Sequence, residues 1–173
     1  MPLPEVARLD ALIVDDDPDI RSVLAERLYS RGLVVATAAD GRAGVDALKR
    51  SAGRYRLVFS DINMPGADGF AVLDAARQAN PTTYVVMMTG FASLDTAITA
   101  VRSGAQDYLT KPFSLGQIDV IVERATSHKS FDAEQRRLAH QGGSASLAAI
   151  ESRLASIERT LAHIHALVIS KPL

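Results

Sequence analysis

The sequence contains no cysteine. Disulfide bonds, cysteine-ligated zinc and a thiol nucleophile are therefore excluded, and the composition suits a reducing compartment. No apolar run approaches the roughly 18 residues that a membrane-spanning helix needs. The N-terminus carries acidic residues and lacks the apolar core of a secretory signal. The net charge is −1, which provides no general attraction to nucleic acid or membranes. We expect a soluble, cytoplasmic protein.

Hydrophobic residues make up 47% of the 173-residue chain, and they follow a regular arrangement. Short apolar runs alternate five times with segments in which apolar residues follow helical spacing. This alternation predicts an α/β fold with a five-stranded, parallel, doubly wound, flavodoxin-like sheet and helices on both faces. The predicted strands cover residues 11–14, 33–37, 57–59, 84–88 and 107–110.

The same pattern divides the chain into four parts. We predict a short leader over residues 1–10 and one main domain over 11–127. A helical extension and a Gly-rich linker follow over 128–146, and an amphipathic helix over 147–169.

Polar residues stand at or just past the ends of four predicted strands. These residues are Asp15, Asp16, Asp61, Thr89 and Lys111. Right-handed crossovers bring all the carboxyl ends of parallel strands to one edge of the sheet, so these side chains should share one pocket. A lone Asp after a strand ordinarily caps a loop or helix, but the other polar residues at neighbouring strand ends favour a functional site.

The chemistry of this residue set points to a metal and a phosphoryl group. Clustered carboxylates repel one another unless a cation lies among them, and an all-oxygen site suits Mg²⁺. Lys111 provides a compact positive charge for a phosphate and Thr89 a hydroxyl. A carboxylate can attack phosphorus and form an aspartyl-phosphate.

Four segments in this order resemble the receiver domain of bacterial two-component response regulators. They are LIVDDDP at 12–18, SDINMPGADG at 60–69, MMTG at 87–90 and DYLTKPF at 107–113. The stretch from 90 to 113 is most similar to receivers of the nitrogen-regulation type, and the resemblance covers about residues 10–127.

The resemblance implies a role for each site residue. Asp61 is expected to accept a phosphoryl group from a sensor histidine kinase or a phosphotransfer protein. Asp16 and Asp61 are expected to bind Mg²⁺ together with the backbone carbonyl of Asn63, and Asp15 to support the ion through water. Lys111 is expected to pair with the phosphoryl group.

The resemblance also implies a conformational switch. Thr89 is expected to move toward the phosphoryl group after transfer, and the aromatic ring of Tyr108 to rotate inward in response. The bond between Lys111 and Pro112 is expected to be cis. Phe91, two residues past Thr89, could obstruct water and prolong the phosphorylated state.

An enzyme acting on external substrates is not expected. Phosphatases that also form an aspartyl-phosphate carry a second Asp two residues after the nucleophile, and here that position is Asn63. No ATPase, cyclase or phosphodiesterase signature follows the main domain. We therefore expect a signalling switch that assists only its own phosphorylation and dephosphorylation.

The C-terminal segment carries a heptad pattern. Its apolar residues are spaced alternately by three and four positions, namely Leu147, Ile150, Leu154, Ile157, Leu161, Ile164 and Val168. A strict seven-residue repeat favours a coiled coil, here a homo-oligomer that is either a dimer or a tetramer. The open alternatives are a helix that folds back onto its own main domain and one that docks on another protein.

DNA binding is a further alternative that the tail does not favour. From residue 128 onward the chain has six Lys or Arg against four Asp or Glu. It shows no helix-turn-helix and no concentrated basic face. The chain could also be the receiver part of a longer regulator, and the sequence leaves this open.

Overall fold

The computed structural model describes residues 10–91, 93–139 and 162. Five strands and five helices alternate along the first two of these ranges. The strands are β1 (Asp10–Val14), β2 (Val34–Ala38), β3 (Tyr55–Asp61), β4 (Tyr84–Thr89) and β5 (Asp107–Thr110). The helices are α1 (Pro18–Ser30), α2 (Gly41–Arg50), α3 (Gly69–Ala79), α4 (Leu94–Arg102) and α5 (Leu115–Ala139).

All strand pairs are parallel, and the strand order is β2-β1-β3-β4-β5. This confirms the predicted five-stranded, doubly wound α/β sheet. The strand order reverses direction between β1 and β3, and in such sheets ligands bind at the carboxyl ends of the strands beside that point. Asp15 directly follows β1, and Asp61 is the last residue of β3.

The sheet is covered on both faces by apolar side chains. One core cluster joins α2, α3 and α4 to the sheet and includes the fully buried Val58 and Leu73. The other joins α1 and α5 to the opposite face and includes Phe59 and Ile118. Because β3 and β4 are covered on both faces, each contains a continuous apolar run, at 57–59 and 84–88, and neither has an exposed residue. These two rigid strands carry Asp61 and Thr89 at their ends.

Side chains that precede the helices fix where each helix begins. Asp17 accepts hydrogen bonds from the backbone amides of Asp19 and Ile20 at the start of α1. Asp68 accepts one from Ala71 at 3.0 Å at the start of α3, so it is a helix cap as its position in the sequence indicates. Asp40 and Ser93 act in the same way for α2 and α4.

Four of the five strands differ from their predicted bounds, and β3 (Tyr55–Asp61) and β4 (Tyr84–Thr89) are longer than the predicted 57–59 and 84–88. β1 begins at Asp10, inside the predicted leader. β2 is displaced by one residue, to Val34–Ala38, because its register is set by pairing with β1, from Asp10 opposite Val34 to Val14 opposite Ala38. The backbone of α5 continues without interruption from the sheet to Ala139.

The amphipathic segment 147–169 lies outside the described residues apart from residue 162, so its seven predicted heptad positions remain predictions. In the part of the chain that the structure describes, no helix combines the length and apolar character needed to cross a membrane.

Candidate functional site

The candidate site is built where four strands end. Asp15 directly follows β1, Asp61 is the last residue of β3, Thr89 is the last residue of β4, and Lys111 directly follows β5. Backbone hydrogen bonds join neighbouring strands at this edge. The amide of Lys111, after β5, donates to the carbonyl of Thr89 at the end of β4 at 2.7 Å. The amide of Ile62 likewise donates to the carbonyl of Met88 at 2.8 Å. The strand ends therefore form one connected edge.

Three carboxylates meet at this edge. One oxygen from each of Asp15, Asp16 and Asp61 lies within 4.8 Å of the others. Asp15 is fully buried, Asp61 is 5% exposed, and Asp16 faces solvent. Three converging carboxylate oxygens, one open to water, fit a hard divalent cation that keeps part of its hydration shell, as Mg²⁺ does. The donor set and its charge thus match the predicted ion.

The ammonium group of Lys111 lies between two of these carboxylates. Its Nζ is 2.7 Å from Oδ2 of Asp15 and 3.4 Å from Oδ1 of Asp61. Burial acts to lower the pKa of Lys111, but the hydrogen bond and charge of Asp15, together with Asp61, outweigh it and raise that pKa. Lys111 is therefore fully charged at neutral pH.

The carboxyl group of Asp61 experiences opposing influences. Burial raises its pKa, the charge of Lys111 lowers it, and the neighbouring charge of Asp15 raises it again. The outcome is a raised pKa. A carboxylate held in this way is poorly solvated and close to a cation, an arrangement suited to attack on an electrophilic phosphorus.

The run of three aspartates after β1 divides into three different environments. Asp15 is the buried partner of Lys111, Asp16 is the exposed member of the cluster, and Asp17 caps α1. The direct contact between Asp15 and Lys111 was not anticipated, since the sequence predicted only a water-mediated role for Asp15. Side-chain direction within such a run depends on the docking of α1, which residue types do not reveal.

The loop after Asp61 returns closely to the strand end. Asn63 is exposed two residues past Asp61. The amide of Gly69 donates to the carbonyl of Ile62 at 3.0 Å, and a Cβ atom at Gly69 would lie 2.3 Å from the carbonyl oxygen of Asp61. Only glycine therefore allows α3 to begin this close to the site.

Thr89 and Tyr108 lie next to each other. Tyr108 is only 2% exposed, and its ring belongs to the core cluster that includes α4. Burial raises the pKa of Tyr108, while the side chain of Thr89 and the backbone of Ser93 act to lower it. Among the described residues the Tyr108 hydroxyl has no hydrogen bond of standard geometry, so it lies beside Thr89 without being fixed by it.

Phe91 lies two residues past Thr89 and contacts it. Its amide donates to Oγ1 of Thr89 at 3.0 Å, and the residue is 82% exposed. The expected effect of Phe91 on the lifetime of the phosphorylated state stays a prediction. The expected cis peptide bond between Lys111 and Pro112 is present.

One contact at the site had no signal in the sequence. Nη1 of Arg21, on the first turns of α1, donates to the backbone carbonyl of Asp15 at 2.7 Å. Arg21 lies on α1, and its residue type gives no indication of which group its side chain contacts.

This chain is similar to known proteins over the part that contains the strand-end site. The model of the response regulator receiver domain family matches residues 11–123. The DNA-binding transcriptional regulator NtrC of Klebsiella pneumoniae is 42% identical over 118 residues, which cover 68% of this chain and 25% of NtrC. The response regulator protein PilR of Pseudomonas aeruginosa is 32% identical over 162 residues, covering 92% of this chain and 36% of PilR.

A solved structure shows the same fold. NtrX from Brucella abortus superposes with a TM-score of 0.68 at 36% identity, over 75% of this chain and 29% of the NtrX chain. The chain thus spans about a quarter to a third of the length of these relatives. The family match covers well over half of the chain and includes every residue of the strand-end site. This chain belongs to the response regulator receiver domain family.

Proposed function

We propose that this protein is a phosphorylation-dependent switch in which Asp61 accepts a phosphoryl group from a histidine kinase or a phosphotransfer protein. The observation that carries the proposal is the meeting of Asp15, Asp16, Asp61 and Lys111 at one sheet edge. A carboxylate oxygen of Asp61 forms a bond to phosphorus as the bond from phosphorus to the donor histidine nitrogen breaks. The electron pair of that bond returns to the imidazole.

The protein's own groups prepare this transfer. Lys111 neutralises negative charge next to the attacking oxygen, because its Nζ lies 3.4 Å from Oδ1 of Asp61. Asp16, Asp61 and the backbone carbonyl of Asn63 would hold Mg²⁺, with Asp15 supporting the ion through water. When bound, the ion would neutralise the phosphoryl oxygens. Turnover on external substrates is not part of the proposal, and the cytoplasmic location remains a prediction.

The transfer is tested directly by mass spectrometry. The intact chain is incubated with a small-molecule acyl phosphate and Mg²⁺, which removes the need to know the cognate kinase. We expect the mass to increase by one phosphoryl group in the unaltered protein and in Asp74→Asn, an exposed control on α3. We expect no increase in Asp61→Asn. Labelling of Asp61→Asn at another residue would contradict the assignment.

The response to phosphorylation is proposed to involve Thr89 and Tyr108. Their side chains are adjacent, and the Tyr108 hydroxyl is held by no standard hydrogen bond among the described residues. Movement of Thr89 toward a phosphoryl group on Asp61 would change the space beside the Tyr108 ring. The surface around α4 and β5, which packs on that ring, would then differ between the two states.

The output is proposed to be protein–protein contact or oligomerisation through the heptad segment 147–169. The support is the seven-residue repeat itself, and the helical backbone of α5 that extends toward it as far as Ala139. Light scattering of the full chain and of a chain ending at residue 141, with and without a phosphoryl mimic and Mg²⁺, tests this. A monomeric mass for both chains in all conditions would contradict oligomerisation and favour docking on another protein.

A second candidate is that the chain is the receiver part of a longer DNA-binding regulator. The observation in its favour is that NtrC of Klebsiella pneumoniae is a DNA-binding transcriptional regulator of which the matched segment covers only 25%. Fluorescence anisotropy with duplex DNA at low salt tests whether this chain itself binds. Salt-sensitive binding would show that this chain itself recognises DNA, and absence of binding is what both a receiver part without its DNA-binding part and the protein–protein output predict.

A further inference from the structure

Arg21 is a long cationic side chain that reaches into the proposed cation site without belonging to the carboxylate cluster. It lies on α1, is half-buried, and donates from Nη1 to the backbone carbonyl of Asp15 at 2.7 Å. Its guanidinium therefore approaches the peptide group that joins Asp15 to Asp16. A hydrogen bond from a charged donor is shorter and stronger than one between neutral groups.

The segment from Asp15 to Asp17 is held at several points. Oδ2 of Asp15 lies 2.7 Å from Lys111, and Oδ1 of Asp15 accepts from the amide of Asp17 at 2.9 Å. The side chain of Asp17 caps α1. These contacts fix the two ends of the segment, namely the Asp15 carboxylate and the start of α1.

The contact from Arg21 restrains the peptide group between Asp15 and Asp16, which lies between those two ends. The carbonyl of Asp15 and the amide of Asp16 belong to the same planar peptide group, so holding the carbonyl sets the orientation of that plane. The plane in turn determines where the Cα of Asp16 projects its carboxylate. Asp16 is the exposed member of the cluster, so packing alone does little to restrain it.

We propose that Arg21 is a positioning residue for the cation site, and that it acts by orienting the peptide between Asp15 and Asp16 so that the Asp16 carboxylate faces Asp61. This inference rests on the proposed function, because it assumes that Mg²⁺ binds there. Arg21 touches neither the phosphoryl group nor the ion in this role. Partners that orient metal ligands are commonly worth a factor of about 10 in metal affinity.

The experiment measures Mg²⁺ binding by titration calorimetry on the full chain carrying Arg21→Met. The matched control is Arg56→Met. Arg56 is also half-buried and also makes a side-chain hydrogen bond, from Nη1 to Oγ1 of Thr82 at 2.9 Å, but it lies near the opposite end of β3. Both variants remove one positive charge, so they share any long-range effect of net charge.

We expect Arg21→Met to weaken Mg²⁺ binding about tenfold and Arg56→Met to leave it unchanged. In the metal-free protein, we expect the backbone amide ¹⁵N resonances of residues 15–17 to shift in Arg21→Met and not in Arg56→Met. This readout reports the contact of Arg21 with the Asp15 carbonyl independently of metal binding. Should Arg21→Met fail to fold, Arg21→Gln and Arg56→Gln replace the pair, with the same expectation because glutamine is too short to reach the carbonyl.

Two results would overturn the inference while leaving the proposed function intact. One is an unchanged Mg²⁺ affinity in the folded Arg21 variant, and the other is an equal loss in the Arg21 and Arg56 variants. Failure of the unaltered protein to bind Mg²⁺ would instead overturn the proposed metal site, and this inference with it.

Discussion

Replacing Asp61 by Asn should make the metal-free protein more stable at neutral pH. Asp61 is 5% exposed, and its raised pKa shows that the fold disfavours its charged form. Asparagine has nearly the same shape and carries no charge. The substitution therefore removes the cost of burying a carboxylate next to two others, and gives up only its contact with Lys111.

The magnitude follows from the distances at the site. With an effective dielectric constant of about 20, the attraction between Lys111 and Asp61 at 3.4 Å is about 5 kcal/mol. Repulsion from a carboxylate oxygen within 4.8 Å is at least about 3.5 kcal/mol under the same conditions. Two such carboxylates, Asp15 and the solvent-screened Asp16, approximately offset the attraction. The burial cost then decides the sign, and we expect a gain in unfolding free energy of about 1–2 kcal/mol.

The dependence of this gain on pH gives a second check. A group whose pKa is raised on folding stabilises the folded state below its ordinary pKa and loses that contribution as the pH rises through its folded value. In the unaltered protein the cost of Asp61 is therefore absent below the ordinary value of 3.8 and complete above the raised value. The advantage of Asp61→Asn should be largest above the raised pKa of Asp61 and disappear as the pH falls toward 3.8.

The assay is urea and thermal unfolding in a metal chelator, with the exposed Asp74→Asn on α3 as the control. A gain of this size corresponds to a rise in Tm of about 3–8 °C. The predicted gain in stability is refuted if Asp61→Asn is no more stable than Asp74→Asn at pH 7. It is also refuted if the gain persists undiminished at pH 3. The first result would mean that the attraction of Lys111 outweighs burial, and the second would mean that the gain does not come from the charge on Asp61.

Two further predictions concern other parts of the fold. Gly69→Ala should destabilise the protein by about 1–3 kcal/mol and reduce phosphoryl labelling, because the new Cβ would meet the carbonyl oxygen of Asp61 at 2.3 Å. The control is Gly116→Ala, where the nearest side-chain atom is 3.8 Å away. Equal unfolding midpoints for the two variants would contradict the prediction. Asp119→Asn should lower stability at pH 7, because the hydrogen bond and charge of Arg27 lower the pKa of Asp119. That loss should shrink as the pH falls below 3.8, and a difference in urea midpoint that stays constant with pH would contradict the ion pair as its cause.

Much of the fold and the placement of the main site residues could be predicted from the sequence. The apolar runs at 57–59 and 84–88 are continuous because β3 and β4 are buried on both faces, so the pattern reveals both the strands and their ends. Once parallel strands are recognised, chain direction alone places Asp15, Asp61 and Lys111 at one edge. The strand limits were less certain, since the register between β1 and β2 is set by pairing between distant segments.

Which atoms touch at that edge depends on how the helices pack on the sheet. The three consecutive aspartates are chemically identical in sequence, yet docking of α1 makes Asp15 the partner of Lys111, leaves Asp16 exposed in the carboxylate cluster and uses Asp17 as a helix cap. The same docking brings Arg21 to the carbonyl of Asp15. The strands that bear the reactive groups can be recognised from the sequence, because burial and chain direction are visible in the local pattern of residues. The contacts among those groups depend on helix packing against the sheet, and that packing is a property of the whole fold.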